Sequence, residues 1–156
     1  MSREEVIKEG ALSKDFTLED QKGDEFTLSD LKGKKVLLSF HPLAGTSVCA
    51  KQMKSLEENR ERFEELNTVP VGISVDSGPA KKLWAEDIGV EETRLLSDFW
   101  PHGKVIKMYG LFREEDGFSE RANILIDEDQ KVIFSKVYPI GEVPDLEEIF
   151  TKIEER

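Results

Sequence analysis

The sequence predicts an α/β protein with a mixed central sheet and helices on both faces. Apolar runs at 36–41 and 69–75 have the length of buried strands, and the stretch between them has the apolar spacing of a long helix. Strand, helix and strand in this order form a βαβ unit, which favours a parallel pair of strands. Alternating segments at 122–127 and 131–138 predict an antiparallel hairpin, which gives the sheet an antiparallel edge.

Local signals define the elements of the first half of the chain. Residues 16–18 and 25–28 flank turn-forming residues at 21–24, which predicts a short hairpin. A single helical turn at 29–33 follows and is closed by a glycine. The long helix then carries one apolar face over about five turns, formed by Cys49, Met53, Leu56, Phe63 and Leu66. The glutamate pairs of this helix fall opposite the apolar face, which predicts solvated surface at Glu57-Glu58 and Glu64-Glu65.

The second half continues the alternation of strands and helices. A helix is predicted from Ser77 to about Asp87, ended by Gly89. A short strand at 94–96 and a short helix at 102–109 follow. After the hairpin and its turn at 128–130, Pro144 is predicted to open a C-terminal helix, because proline is favoured at the first helical position; the helix is expected to end at 154–156.

Length and charge limit the classes of protein. The chain has 156 residues, which predicts one domain over residues 1–156. It carries 33 Asp and Glu against 22 Lys and Arg, a formal net charge of −11, so it repels polyphosphate and nucleic acid is excluded as a partner. The longest apolar runs are strand-sized and the N-terminus lacks an apolar signal core, which predicts no membrane segment. With a single cysteine, the chain is expected to be cytoplasmic and reduced.

Cys49 is the only cysteine, and it falls in the first turn of the predicted long helix. The amides at a helix N-terminus are unpaired donors and carry the positive end of the helix dipole. A thiol held there is biased towards the nucleophilic thiolate. Single cysteines in intracellular proteins are also commonly buried apolar residues without chemistry, so this position alone leaves both interpretations open.

Two residues upstream of Cys49 favour the reactive interpretation. Pro42 has no amide proton and stiffens the turn, so it can shield the sulfur from water. Thr46 lies three residues before Cys49, where it is placed to cap the helix. Its hydroxyl can point to the same side as the sulfur, and it can both donate to and accept from a bound oxygen.

The spacing Pro42-x-x-x-Thr46-x-x-Cys49 resembles the active-site signature of the peroxiredoxins, cysteine-based peroxidases on a thioredoxin-like fold. The resemblance covers nearly the whole chain. The segment 97–103 resembles the alkyl hydroperoxide reductase E group, whose members often work with one catalytic cysteine. Further matches are Asp15-Phe16-Thr17-Leu18, the segment 96–103, and Arg121 at the start of strand 122–127.

The resemblance implies a thioredoxin-like fold and a role for each matched residue. Cys49 would be the peroxidatic nucleophile, which reduces hydrogen peroxide or small organic hydroperoxides and becomes a sulfenic acid. Arg121 would favour the thiolate and hold the peroxide oxygens. The Thr46 hydroxyl would stabilise charge on the leaving oxygen, and Pro42 would pack over the site. Without the resemblance, Arg121 would be interpreted as a surface salt-bridge partner, because most arginines are exposed.

Two neighbouring residues are candidates for supporting roles. Gln52 follows the cysteine by three residues, where its amide can bridge Thr46 or Arg121. His41 directly precedes Pro42; either it sits near the sulfur, or it makes a routine hydrogen bond at a strand end. Two histidines and one cysteine make a poor zinc set, and no glycine-rich phosphate loop follows a strand. We therefore predict no metal and no cofactor.

The partners implied by the resemblance are a peroxide, an external thiol and further copies of the chain. Because the chain has no second cysteine to resolve the sulfenic acid, the reductant is expected to be a thioredoxin, a glutaredoxin-like protein or a low-molecular-weight thiol. Members of the family commonly form homodimers or larger rings. Two alternatives stay open: a peroxide-responsive redox sensor or stress-activated holdase on the same fold, and a binding module with an inert cysteine.

Overall fold

The computed structural model describes residues 5–155, and these residues form nine strands and five α-helices. The strands are β1 (Thr17–Glu19), β2 (Glu25–Thr27), β3 (Lys35–Phe40), β4 (Thr68–Ser74), β5 (Arg94–Ser97), β6 (Phe112–Arg113), β7 (Phe118–Ser119), β8 (Arg121–Ile126) and β9 (Val132–Tyr138). The α-helices are α1 (Ser47–Glu58), α2 (Arg60–Glu65), α3 (Gly78–Ile88), α4 (Lys104–Met108) and α5 (Leu146–Glu154). A 3-10 helix covers Leu28–Leu31.

Seven of the strands form one mixed sheet in the order β2-β1-β5-β4-β3-β8-β9. Strands β5, β4 and β3 are parallel, and the βαβ pattern predicted this for β3 and β4. Strand β8 pairs antiparallel with β3, and β9 pairs antiparallel with β8. At the other side of the sheet, β1 pairs antiparallel with β5, so the N-terminal hairpin extends that edge. Antiparallel strands therefore flank the parallel centre on both sides.

Two apolar cores cover the two faces of the sheet, because successive side chains of a strand point to opposite faces. In β3, Val36, Leu38 and Phe40 enter the core that α4 covers. Leu37 enters the opposite core, which α1, α2, α3 and α5 cover. Helices on both faces are thus confirmed, with most of the helical residues on the side of Leu37.

The predicted long helix is interrupted at Asn59. Asn59 leaves the helical conformation, with φ −103° and ψ 12°, and separates α1 from α2. Its side-chain amide donates to the Ser55 carbonyl at 2.8 Å, a local bond of the kind that competes with the helical ladder. The apolar face continues across the break, since Phe63 of α2 packs against Phe150 of α5 with ring centroids 4.8 Å apart. Apolar spacing alone therefore could not reveal the interruption.

The prediction of a solvated surface is wrong for Glu57. Its carboxylate is buried and accepts hydrogen bonds from the backbone amides of Glu91, Glu92 and Thr93, at distances of 2.8 to 3.2 Å. Burial by itself raises the pKa of Glu57, but the amide donors outweigh it, and the net pKa is lowered. The other three members of the two glutamate pairs are exposed as predicted: Glu58, Glu64 and Glu65.

Smaller differences concern the ends of elements. Pro144 does not open the last helix; Asp145 is its N-cap, and the Asp145 carboxylate accepts from the Glu147 amide. The predicted end at 154–156 falls partly on residue 156, outside the described residues. Strands β6 and β7 form a two-stranded hairpin that no sequence signal indicated. No helix within residues 5–155 is long and apolar enough to cross a membrane.

Candidate active site

Strand register gathers polar side chains at the carboxyl ends of β3 and β4. The β3–β8 pairing matches Phe40 with Ala122, so one step further His41 lies opposite Arg121. The β3–β4 pairing matches Phe40 with Ile73, so one step further His41 lies beside Ser74. Alternation places these side chains on the face that α1 covers. Ligand sites of open α/β sheets lie at this carboxyl edge of the parallel strands.

The N-terminus of α1 positions Cys49 above this row. Thr46 has the extended backbone of an N-cap residue, and the first helical hydrogen bond runs from the Ala50 amide to the Thr46 carbonyl at 3.0 Å. The Cys49 amide precedes that bond, so it belongs to the unpaired donors of the helix end. Cys49 itself is 1% exposed. The turn before the helix requires a left-handed residue, which Gly45 supplies with φ 88°.

Arg121 contacts the Cys49 sulfur directly. It is the first residue of β8 and is 2% exposed, so the alternative of a surface ion pair is wrong. Its Nη1 donates to Cys49 Sγ at 3.3 Å and to Gln52 Oε1 at 2.7 Å. Its Nε donates to the Ile140 carbonyl at 2.9 Å. A buried guanidinium beside a thiol stabilises the thiolate.

Gln52 holds the guanidinium in place. Its side-chain nitrogen donates to Ser39 Oγ at 2.7 Å and to the Phe40 carbonyl at 3.1 Å. These two acceptors orient the amide so that its oxygen faces Arg121. Of the two bridges predicted for Gln52, the one to Arg121 is therefore present, whereas the described contacts of this side chain include none with Thr46.

Thr46 is the N-cap residue by backbone conformation but not by side chain. No hydrogen bond joins its hydroxyl to an amide of α1 within the described part of the chain. The hydroxyl instead donates to the Leu43 carbonyl at 2.9 Å. The prediction of a side-chain cap is therefore wrong, because the Thr46 hydroxyl makes its hydrogen bond with the Leu43 carbonyl and not with an amide of α1. The lone pairs of the hydroxyl remain as acceptors, and the side chain is exposed.

Pro42 and His41, which directly follow β3, are both buried. The His41 ring is fully enclosed: its Nε2 lies 3.0 Å from Lys81 Nζ, and its centroid lies 5.5 Å from that of the Trp84 ring. Burial lowers the pKa of His41 well below its usual range, and the charges of Lys81 and Arg121 act in the same direction. His41 is consequently neutral at neutral pH.

Sequence reasoning missed Lys81, which is 0% exposed. Its ammonium group donates to Ser74 Oγ at 2.7 Å, and the Ser74 hydroxyl donates to Asp76 Oδ2 at 2.7 Å. A pair of lysines such as Lys81-Lys82 is typical of a solvated helix surface. One signal could have found Lys81: it precedes Trp84 and Ala85 by three and four residues, the spacing of a common helix face, and both are buried.

Residues 5–155 contain no cluster of three or more His, Cys, Asp or Glu side chains placed to hold a metal ion. His102, the second histidine, is exposed, and its Nε2 lies 2.7 Å from the Gly117 carbonyl oxygen.

Comparison with known proteins places this geometry in a family. The model of the AhpC/TSA family matches residues 10–135. The alkyl hydroperoxide reductase E of Mycobacterium tuberculosis is 38% identical over 141 residues, which cover 90% of this chain and 92% of the relative. A thiol peroxidase of Streptococcus agalactiae is 32% identical over 127 residues, which cover 81% of this chain and 76% of the relative.

Solved structures agree with the sequence relatives. The peroxidoxin BcpB of Mycobacterium tuberculosis superposes with a TM-score of 0.83 at 27% identity and covers 96% of this chain and 97% of its own. The reduced 2-Cys peroxiredoxin of Plasmodium vivax superposes with a TM-score of 0.84 at 28% identity, covering 93% and 79%. The thioredoxin-like fold is thereby confirmed, and the chain is a thiol-dependent peroxidase. With a family model matched over most of its length, the chain belongs to the AhpC/TSA family of peroxiredoxins.

Proposed function

We propose that Cys49 is the peroxidatic nucleophile of this enzyme and that Arg121 is its catalytic cation. The contact of 3.3 Å between Arg121 Nη1 and Cys49 Sγ, inside a buried site at a helix N-terminus, is the observation that carries this assignment. The guanidinium still has donor capacity for a peroxide oxygen, because arginine carries five N–H groups and the described contacts use part of them.

The first half-reaction is a nucleophilic displacement at oxygen. The Cys49 thiolate attacks one peroxide oxygen, an S–O bond forms and the O–O bond breaks. The sulfur is oxidised by two electrons to a sulfenic acid, and the peroxide is reduced. The leaving oxygen takes a proton and departs as water from hydrogen peroxide, or as an alcohol from a small organic hydroperoxide.

Thr46 and Pro42 complete the proposed site. The Thr46 hydroxyl donates to the Leu43 carbonyl, so its lone pairs can accept a hydrogen bond from the peroxide O–H and orient the other peroxide oxygen towards the sulfur. If the bond to Leu43 opens, the same hydroxyl donates to the leaving oxygen, together with the Cys49 amide. Pro42 is buried and offers no amide donor, so it limits the access of water. Gln52 supports the site by accepting a hydrogen bond from Arg121, and His41 supports it through its contact with Lys81.

The second half-reaction needs an external thiol, because Cys49 is the sole cysteine. A first thiol displaces water from the sulfenic acid and forms a mixed disulfide; a second thiol then releases the Cys49 thiol and leaves as a disulfide. A thioredoxin, a glutaredoxin-like protein or a low-molecular-weight thiol satisfies this chemistry. Such reductants are abundant in the cytoplasm, and we propose that the protein acts there. We also propose that the chain forms one domain with one active site.

A homodimer or a larger homo-oligomer is the proposed assembly. Phe99 and Trp100 support it: they are 52% and 82% exposed, and large aromatic side chains are enriched at protein interfaces. Sedimentation equilibrium of the wild type and of Trp100→Ala tests the assembly. A wild type that stays monomeric at high concentration would exclude it.

Stopped-flow oxidation of the reduced protein tests the whole assignment. Hydrogen peroxide and small organic hydroperoxides should oxidise the wild type far faster than free cysteine, and Cys49→Ser should not react. Mass spectrometry of the product should show one added oxygen, about 16 Da. Sustained peroxide consumption with a recycling thiol separates the peroxidase from a redox sensor or holdase, which would oxidise once. A rate equal to that of free cysteine would support the inert binding module.

A further inference from the structure

We propose that Lys81 is a positioning residue of the peroxidase site: its buried ammonium group adds a second positive charge behind Cys49 and orders the loop that carries Thr46. This inference rests on the proposed function of Cys49. It concerns a side chain that contacts neither the sulfur nor the position proposed for the peroxide, and that acts through its neighbours and its charge.

The surroundings of Lys81 make an internal cation site. The side chain leaves α3 and is fully enclosed, although most lysines keep their ammonium group in water. The ammonium group has two hydrogen-bond partners, Ser74 Oγ at 2.7 Å and His41 Nε2 at 3.0 Å. Because an ammonium group only donates, His41 Nε2 must be the acceptor whenever Lys81 is charged. The charged lysine therefore selects the tautomer of His41 with its proton on Nδ1.

A second branch of the network reaches the active-site loop. The Ser74 hydroxyl in turn donates a hydrogen bond to Asp76 Oδ2 at 2.7 Å. The same carboxylate oxygen accepts from the Ala44 amide at 2.8 Å. Ala44 lies between Pro42 and Thr46, in the turn that leads to Cys49. A chain of three hydrogen bonds thus links the Lys81 ammonium group to the loop that positions the proposed peroxide-binding hydroxyl.

The charges that face Lys81 come from every element packed around it. Asp76 follows β4 and Cys49 lies on α1; both act electrostatically on Lys81. His41 follows β3 and is in turn affected by Arg121 of β8. From α3 itself, Trp84 places its ring 5.8 Å from the ammonium nitrogen. A thiolate at Cys49 therefore interacts with two cations, the guanidinium that contacts the sulfur and the Lys81 ammonium group that acts on it electrostatically.

The pKa of Lys81 lies near neutral pH, so the charge of Cys49 can change the protonation of Lys81. Burial lowers the pKa of Lys81 to about 7, and the negative charges of Asp76 and Cys49 oppose this shift. Linkage between two sites is reciprocal, so a thiolate that favours the lysine cation is favoured by it to the same extent. Oxidation of Cys49 to a neutral sulfenic acid then weakens the hold of Lys81 on its proton. Lys81 and Cys49 thus form an electrostatically coupled pair.

Lys81→Met removes the charge and keeps most of the length of the side chain, and Lys82→Met at the exposed neighbour is the matched control. The second-order rate of peroxide reduction and the rate of iodoacetamide alkylation are followed from mildly acidic to alkaline pH. The wild type and Lys82→Met should show a peroxide rate that declines on the alkaline side as Lys81 loses its proton. Lys81→Met should lose this decline and react about fivefold more slowly at neutral pH. A folded Lys81→Met protein with the rate and the pH profile of the control would overturn the proposal.

A measurement on proteins with Lys81 intact decides the question even if Lys81→Met does not fold. Only two histidines are present, so ¹⁵N-labelled His41 Nε2 can be followed by NMR against pH. Its shift should change as Lys81 loses its proton, and in Cys49→Ser the midpoint should move to lower pH because the thiolate is gone. A midpoint that Cys49→Ser leaves in place overturns the coupling. Failure of the proposed function is a separate result: the wild type would then consume no peroxide, while the His41 signal would still report the proton of Lys81.

Discussion

At the scale of the residue, the reactivity of Cys49 depends on how rigidly Arg121 is held. One guanidinium nitrogen reaches both the sulfur and Gln52, while Nε reaches the Ile140 carbonyl. The planar fork of arginine satisfies these partners at fixed angles. Ser39 and Phe40 fix Gln52 in turn. The sulfur is thus approached by a cation whose position is determined by two strands and a helix.

Arg121→Lys keeps the charge but loses the fork, so it separates electrostatics from geometry. An ammonium group cannot reach Cys49, Gln52 and the Ile140 carbonyl together. We expect the second-order rate of peroxide reduction to fall about tenfold or more. Alkylation by iodoacetamide, which reports the thiolate alone, should fall less. Equal losses in both reactions would mean that Arg121 supplies only charge.

Thr46→Val tests the hydroxyl, with Thr46→Ser as the control that keeps it. Loss of one donor to a leaving oxygen typically costs about a hundredfold or more in rate, and we expect a loss of that size for Thr46→Val in stopped-flow reduction. Because the hydroxyl does not cap α1, the thermal midpoint should change less than the loss of a cap, about 1 kcal/mol, would cause. Unchanged kinetics for Thr46→Val would remove the hydroxyl from the mechanism.

At the scale of the element, the C-terminal end of α1 is anchored by a charge. The Glu57 carboxylate accepts from three consecutive amides, those of Glu91, Glu92 and Thr93, just before β5. These amides precede the strand and would otherwise need water. One side chain thus joins the helix that carries Cys49 to a strand of the parallel centre.

Glu57→Gln should lower the free energy of unfolding by about 1–3 kcal/mol at neutral pH, because a neutral amide offers one acceptor atom where the carboxylate offers two. The exposed neighbour Glu58→Gln is the control. The pKa of Glu57 is lowered in the folded protein, so its stabilising effect is complete above the usual glutamate value of about 4.3 and is lost as the pH falls through the lower, folded value. Urea unfolding at several pH values should show the two variants converging in acid. Parallel curves down to the lowest pH would contradict this role.

At the scale of the whole molecule, burial of Lys81 ties stability to pH. The folded protein releases the Lys81 proton at about pH 7, whereas an unfolded lysine keeps it to about pH 10.4. Between these values the unfolded chain binds one more proton at this site, so stability rises with pH. The wild type should therefore gain stability relative to Lys81→Met as the pH is raised through this window, in urea unfolding. A constant difference between the two proteins would show that folding does not lower the pKa of Lys81.

Burial of Cys49 also limits what the oxidised molecule can do. With 1% of its surface exposed, the sulfur is hard for the cysteine of a second chain to reach. With one equivalent of peroxide and no thiol, we expect a sulfenic acid that dimedone traps and added thiol reduces, while excess peroxide drives it to sulfinic and sulfonic acids. Non-reducing gels and mass spectrometry measure the products. A quantitative disulfide dimer would contradict the external-thiol cycle and favour the redox sensor.

The sequence by itself determined the features whose cause is local. The strands of the seven-stranded sheet, the turns and the apolar face of α1 follow from short-range sequence patterns. Pro42, Thr46 and Cys49 lie within eight residues, so their spacing alone placed them together in one turn and the start of one helix. Even here, only backbone conformation was predictable for Thr46, because the Leu43 carbonyl competes for its proton.

Only the tertiary structure decided which distant side chains meet. Arg121, His41 and Ser74 come together because β8 and β4 both pair with β3 in one register, and no local pattern encodes a register between separated strands. Lys81 and Glu57 are charged residues on helices, and sequence assigns such residues to water. They are buried here because fixed partners, a histidine and a serine for one and three amides for the other, replace the water that burial removes.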